Sequence, residues 1–222
     1  IYTGEDTLSL HDALPIFADL SNADAVSGLK QALTDGSAAA VKMLGQDNGY
    51  FGNAKVKIPL PPNMQKIESG LRMMGMKKQA EELHQAINRA AEMAVGEAKP
   101  VFVNAIKSMS VQDAKGIISG GQDSGTQYFK GKTADQLRTK FLPVVKKATE
   151  KVGLAAKYNR VAEKAQGMGL VKKEDANIQQ YVTGKSLDGL YFMIGEEEKK
   201  IRQDPVGAGS AILKKVFGAL GT

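Results

Sequence analysis

The chain contains no cysteine. Disulfide scaffolds, thiolate zinc sites, iron–sulfur clusters and cysteine nucleophiles are therefore excluded. Histidine is nearly as scarce, with only His11 and His84. A multi-histidine metal site has no ligands to draw on, and neither a metal nor a cofactor is expected. No run of about 18 apolar residues occurs, so the sequence offers no membrane-spanning helix. What is present has ordinary globular proportions: 222 residues, 42% hydrophobic and 24% charged. That is enough for one domain with its own core, and it is incompatible with wholesale disorder.

The first sixteen residues, IYTGEDTLSLHDALPI, differ from the rest. They hold no lysine or arginine and show no usable period. They resemble translated sequencing-adaptor read-through of the kind found at the ends of metagenomic gene fragments, LSLHDALPI above all. Residues 1–19 are accordingly expected to be a tail, and 20–220 a single domain. Setting the first sixteen residues aside removes His11, Glu5, Asp6 and Asp12. The formal charge then rises from +6 to +9, with 30 basic residues against 21 acidic.

Within the domain, helical periodicity dominates. Ser21 is a candidate N-cap for residues 22–44, with Val26, Leu29, Leu33, Val41 and Leu44 apolar and Asp35-Gly36 a candidate break. Residues 45–62, rich in glycine and proline, form the one long non-helical excursion. Its alternating Ala54-Lys55-Val56-Lys57-Ile58 reads as a short extended piece or edge strand, and Tyr50, Phe51, Ile58 and Leu60 read as its anchors. Met64, Ile67, Leu71 and Met74 have helical spacing, closed by Gly75. Met76, Ala80, Leu83, Ile87, Ala90 and Ala94 then recur at three and four on a long helix. Ser110 to Asp113 and Thr133 to Gln136 both read as capping boxes, with a short piece carrying Tyr128-Phe129 between the helices. The second box opens a helix with Pro143 on its solvent side. Further helices are expected over 154–166, over 175–181, over 187–203 with Ser186 as cap, and from Asp204-Pro205 to the C-terminus. The sum is an all-α domain of roughly eight to ten helices, without a fixed-period repeat.

Chemistry-bearing motifs are few. Gly131-Lys132-Thr133 ends like a phosphate-binding loop, but Thr126 stands where that pattern needs glycine and no strand precedes it. Glu81-Glu82-Leu83-His84 holds half of a di-iron carboxylate motif, with no second histidine to complete it. The basic residues are dispersed in pairs such as Lys77-Lys78 and Lys146-Lys147. That dispersal suits a solvated surface better than nucleic acid, which is not expected as a partner. Glu198 carries more information. It falls inside the apolar stripe Leu187, Leu190, Tyr191, Ile194 and Ile201, while Phe192 and Met193 make the other side apolar too. Such a helix is central. A carboxylate on its stripe must find donors, and Arg202 is one turn away. Two readings follow: a buried ion pair that serves the fold, or a carboxylate lining a pocket.

Several segments together resemble the bacterial domain-of-unknown-function family 4197. They are Val56-Lys57-Ile58-Pro59-Leu60-Pro61, Asn88-Arg89-Ala90-Ala91-Glu92, Thr126-Gln127-Tyr128-Phe129, Leu187-Asp188-Gly189-Leu190, Gly195-Glu196-Glu197-Glu198, Ile201-Arg202-Gln203-Asp204-Pro205 and Leu213-Lys214-Lys215-Val216-Phe217-Gly218. The resemblance covers about residues 20–218. It implies a helical protein with an export or lipoprotein signal, hence a periplasmic or envelope location, and brings no activity, cofactor or catalytic residue with it.

Three functional expectations result. The first is an exported, non-enzymatic helical protein that binds a ligand or an envelope partner. The second is a carboxylate-dependent, hydrolase-like enzyme using Glu197 and Glu198. The third is a binder of anionic surfaces through the net positive charge. Glu197, Glu198, Arg202, Tyr128, Phe129, Tyr50 and Phe51 are the candidate ligand-binding residues.

Overall fold

The computed structural model describes residues 22–61, 65, 69, 72, 73, 75, 77–150 and 177–204. Among the described residues there are six helices and no strand: α1 (Asn22–Gly45), α2 (Lys77–Val95), α3 (Ala98–Lys107), α4 (Val111–Ile118), α5 (Ser124–Glu150) and α6 (Ile178–Gln203). The all-α expectation holds, but six is fewer than eight to ten. The tail, the Ser21 cap, the helix over 154–166 and the C-terminal helix lie outside the described residues. The helix over 63–75 is described only in part. Residues 65, 69, 72 and 73 are helical, and Gly75 at φ +75° follows them in the left-handed conformation that closes helices.

Three expected breaks are absent, each for a physical reason. Thr133 does not cap a helix but lies inside α5, where its hydroxyl donates to the Phe129 carbonyl (2.6 Å) and meets the Tyr191 hydroxyl (2.9 Å). Ser186 lies inside α6 and donates to the Val182 carbonyl (2.6 Å). The cap of α6 is Asn177, whose side chain accepts from the Gln179 and Gln180 amides. Asp35-Gly36 does not interrupt α1. Gly36 faces α6, and a Cβ built there lies 3.4 Å from Ile201 Cδ1, so the glycine permits close approach of the two helices. The Ser110 capping box is present as expected, with Ser110 accepting from the Asp113 amide and Asp113 accepting from the Ser110 amide.

Helix α6 packs on α1, α2 and α5 and is central. Leu187, Leu190, Tyr191, Met193 and Ile194 are buried. Phe192 is 43% exposed, so the helix is enclosed on most sides rather than all. α2 presents Ile87, Ala90, Ala91 and Ala94 to the core, and these small side chains let α5 bring in Phe129, Leu137, Phe141 and Val145. The Phe102 and Phe129 rings meet at 4.8 Å between α3 and α5.

The excursion over residues 46–61 is non-helical, and no strand forms over 54–58. Its backbone is held by side chains of α2 instead. Asn88 accepts from the Ile58 amide (2.8 Å) and donates to the Ile58 carbonyl (3.0 Å), the two bonds that a β-partner would supply. His84 Nε2 donates to the same carbonyl (2.9 Å), which places the ring proton on that nitrogen. Glu92 accepts from the Tyr50 and Phe51 amides (3.1 and 3.3 Å). From the other side, the Tyr50 hydroxyl donates to the Ser186 carbonyl (2.6 Å) and the Tyr181 hydroxyl to the Pro59 carbonyl (3.1 Å). Tyr50, Val56, Ile58 and Leu60 are buried, while Phe51 is half-buried.

Candidate functional site

Glu198 is 8% exposed and bonds to Arg202 (2.9 Å), as its place on the stripe requires. Its other partners come from the far side of the chain. The Gly125 amide donates to Oε1 (2.9 Å), and the Thr126 amide and hydroxyl donate to Oε2 (2.8 and 2.7 Å). Arg202 adds bonds from Nε and Nη2 to Oε1. Five donors thus fill a carboxylate that offers about four lone-pair positions. Gly125 and Thr126 belong to the first turn of α5, whose amides have no partner within the helix. Glu198 therefore caps α5 from another helix, and its negative charge sits where the helix dipole favours it. Arg202 completes the junction. Its Nη2 also donates to the Ile117 carbonyl at the end of α4 (3.0 Å) and to the Ser124 hydroxyl (2.7 Å). One ion pair on α6 thus ties the end of α4 to the start of α5.

Glu198, Arg202 and Phe129 line a common cavity with Leu29, Leu33 and Ile194, but its volume is about 20 Å³. That is room for about one water. The remaining candidates are dispersed. Glu197 pairs with Lys200 (2.6 Å). The Tyr128 hydroxyl donates to the Ala105 carbonyl (3.1 Å). Tyr50 is fully buried behind the excursion. Phe51 lies between His84, edge-on at 5.5 Å, and Lys57, whose Nζ sits 3.8 Å from the ring centre. Phe51 also lines an open groove with Asp47, Arg89 and Glu92, in which Arg89 is paired to both acids. The seven candidates do not converge on one pocket. Gly131, Lys132 and Thr133 lie within α5 and form no phosphate loop. Among the described residues no group of three or more histidine, aspartate or glutamate side chains has metal-binding geometry. No described helix is long and apolar enough to cross a membrane.

The ionisable groups follow their surroundings. Burial, reinforced by Glu92 and Asp188, pushes the Tyr50 phenol well above its ordinary range. Burial also raises Tyr191 and Tyr128. Hydrogen bonds from Lys55 and Lys199 hold the half-buried Glu196 carboxyl below the usual range.

The sequence could not show Asn88, Gly189 and Thr126 as partners of distant segments. A Cβ at Gly189 lies 2.7 Å from the Tyr50 ring and 3.3 Å from Val56 Cβ, so only glycine lets the excursion reach α6. Segments far apart in the chain are thus paired in space: Val56 to Pro61 with Asn88 and Gly189, and Thr126 with Glu198. No curated protein and no solved structure matches this chain. The family model described as "Protein of unknown function (DUF4197)" matches residues 19–218, and the chain belongs to that family.

Proposed function

We propose that this chain is a non-enzymatic binding protein of the bacterial envelope. The observation that carries the reading is the saturation of Glu198, the best carboxylate candidate for acid–base chemistry. With five donors and a cavity of about 20 Å³ beside it, Glu198 has no approach for a substrate. The envelope location rests on the export and lipoprotein signals that the family resemblance implies. Native mass spectrometry tests the binding role, using protein recovered from the periplasm after fusion to an export signal. The expected result is a non-covalent ligand mass, lost on unfolding and carried equally by the wild type and Glu198→Gln. Turnover of a substrate by the wild type, absent in folded Glu198→Gln, would replace this reading with the hydrolase-like one.

A second reading, binding of anionic groups, is favoured by where the charge lies. α1, α2, α4 and α6 each carry equal numbers of acidic and basic side chains. α5 carries Lys130, Lys132, Arg138, Lys140, Lys146 and Lys147 against Asp135 and Glu150. Its surplus is four, and α3 adds two more with Lys99 and Lys107.

A further inference from the structure

We propose that the cleft between α5 and α6, rimmed by Lys130, Arg138 and Lys185, is an anion site for a phosphate-type group. The proposal deepens the binding-protein reading and rests on it. Lys130, Ala134 and Arg138 recur every four residues, so they form one stripe of α5. All three line the cleft with Gly184, Lys185 and Asp188 of α6. The cleft has a volume of about 240 Å³. That is below the roughly 300–1,000 Å³ of drug-sized sites, and suits a small anionic group with its waters.

Two features shape this cleft: the cations that meet in it and the small residue on its α6 wall. The first is pairing. Lys55, Arg89, Lys199, Lys200 and Arg202 each have a carboxylate partner. Among the described residues Lys130 and Arg138 have none; Lys132, Lys140, Lys146 and Lys147 of α5 also have none, but they do not line the cleft. Lys185 meets only the exposed Asp188 at 3.5 Å, a weak surface pair. The cleft thus carries three cations against one anion. The second is Gly184. Glycine inside a helix destabilises it relative to alanine, and packing does not require it here. A Cβ at Gly184 meets one described atom, Arg138 Nη1, at an ordinary 4.0 Å. At Gly189, five residues on, a Cβ would collide with Tyr50 at 2.7 Å. The missing side chain at 184 keeps the cleft open where the Arg138 guanidinium reaches toward α6. A planar guanidinium flanked by two ammonium groups matches the oxygens of a phosphate. The phosphate belongs either to a soluble ester or to a lipid headgroup.

The test is amide NMR of the full chain titrated with inorganic phosphate, at constant ionic strength set by chloride. The expected result is saturable shifts confined to residues 130–138 and 180–188. The midpoint should rise at least tenfold in Lys130→Ala/Arg138→Ala, both exposed positions that leave the core intact. Gly184→Ala should melt no lower than the wild type yet bind phosphate several-fold more weakly, a split that a purely structural glycine does not produce. Shifts that grow linearly and appear equally at Lys42, Lys77 and Lys115, or variants that bind like the wild type, overturn the proposal. Co-sedimentation with phosphatidylglycerol/phosphatidylcholine vesicles assigns the source. Pelleting that is lost in the double variant identifies a lipid headgroup. Saturable phosphate binding without pelleting identifies a soluble ester. A ligand seen by native mass spectrometry and retained by the double variant sinks the cleft and leaves the binding-protein reading standing. Turnover lost in Glu198→Gln sinks that reading instead.

Discussion

Tyr50 is a residue whose chemistry is set entirely by the fold. Its hydroxyl donates to the Ser186 carbonyl, and burial raises its pKa above the unfolded value of about 10. Above that pH the unfolded chain loses the phenolic proton and the folded chain keeps it, so the native state binds more protons and stability falls as pH rises. The contribution is complete below about pH 10. The expected outcome is a decline to which Tyr50 adds up to about 1.4 kcal/mol per pH unit, and which is shallower in Tyr50→Phe, where the raised Tyr191 and Tyr128 remain, as read from urea midpoints across the alkaline range. Thr183 offers a second residue-scale prediction. It is 1% exposed, and its hydroxyl has no hydrogen-bond partner among the described residues. A stranded buried hydroxyl costs about 1–3 kcal/mol. Thr183→Val should therefore raise the thermal midpoint, and a lowered one would point to an ordered water on that oxygen. At this scale the sequence was partly legible. The stripe on α6 pointed to the burial of Glu198, and the spacing of four made Arg202 one candidate partner beside a cation from another helix; the structure shows Arg202. The amides of Gly125 and Thr126 were invisible because they lie more than 70 residues away in the chain.

At the scale of elements, the same residue types wrote two different signals. Ser110 caps α4 because its backbone is extended (ψ 164°) and its side chain turns forward to the Asp113 amide. Thr133 and Ser186 turn backward to carbonyls four residues earlier, since the preceding turn is already helical. Local sequence does not distinguish these cases; the buried surroundings of α5 and α6 do. The excursion shows the converse. Its anchors Tyr50, Ile58 and Leu60 were legible as apolar residues in a glycine- and proline-rich stretch. Its alternation suggested a strand, but Asn88 supplies the bonding that a second strand would have made. Asn88→Ala strands the Ile58 amide and leaves its carbonyl to His84 alone, and should destabilise the domain by about 1–3 kcal/mol. In hydrogen exchange, the Ile58 amide should be protected in the wild type and exchange rapidly in this variant. Rapid exchange in both would mean that α2 does not hold the excursion.

Across the whole molecule, α6 ties the other helices together through polar contacts as well as apolar packing. Its N-terminal half receives the excursion at Tyr181, Ser186 and Gly189, and its C-terminal half joins α4 to α5 through Glu198 and Arg202. Charge is balanced on four of the six described helices and positive on α3 and α5, a distribution that the dispersed lysine pairs of the sequence concealed. The central claim is that Glu198 belongs to this frame and is not a group held ready for a ligand. Equilibrium urea denaturation of Glu198→Ala beside Glu196→Ala tests it most directly. Removing one partner of a buried pair destabilises by about 3–5 kcal/mol. The account predicts a loss of that order for Glu198→Ala and little change for Glu196→Ala, a half-buried carboxylate held only by the surface lysines Lys55 and Lys199, whereas equal, small effects at both positions would contradict it.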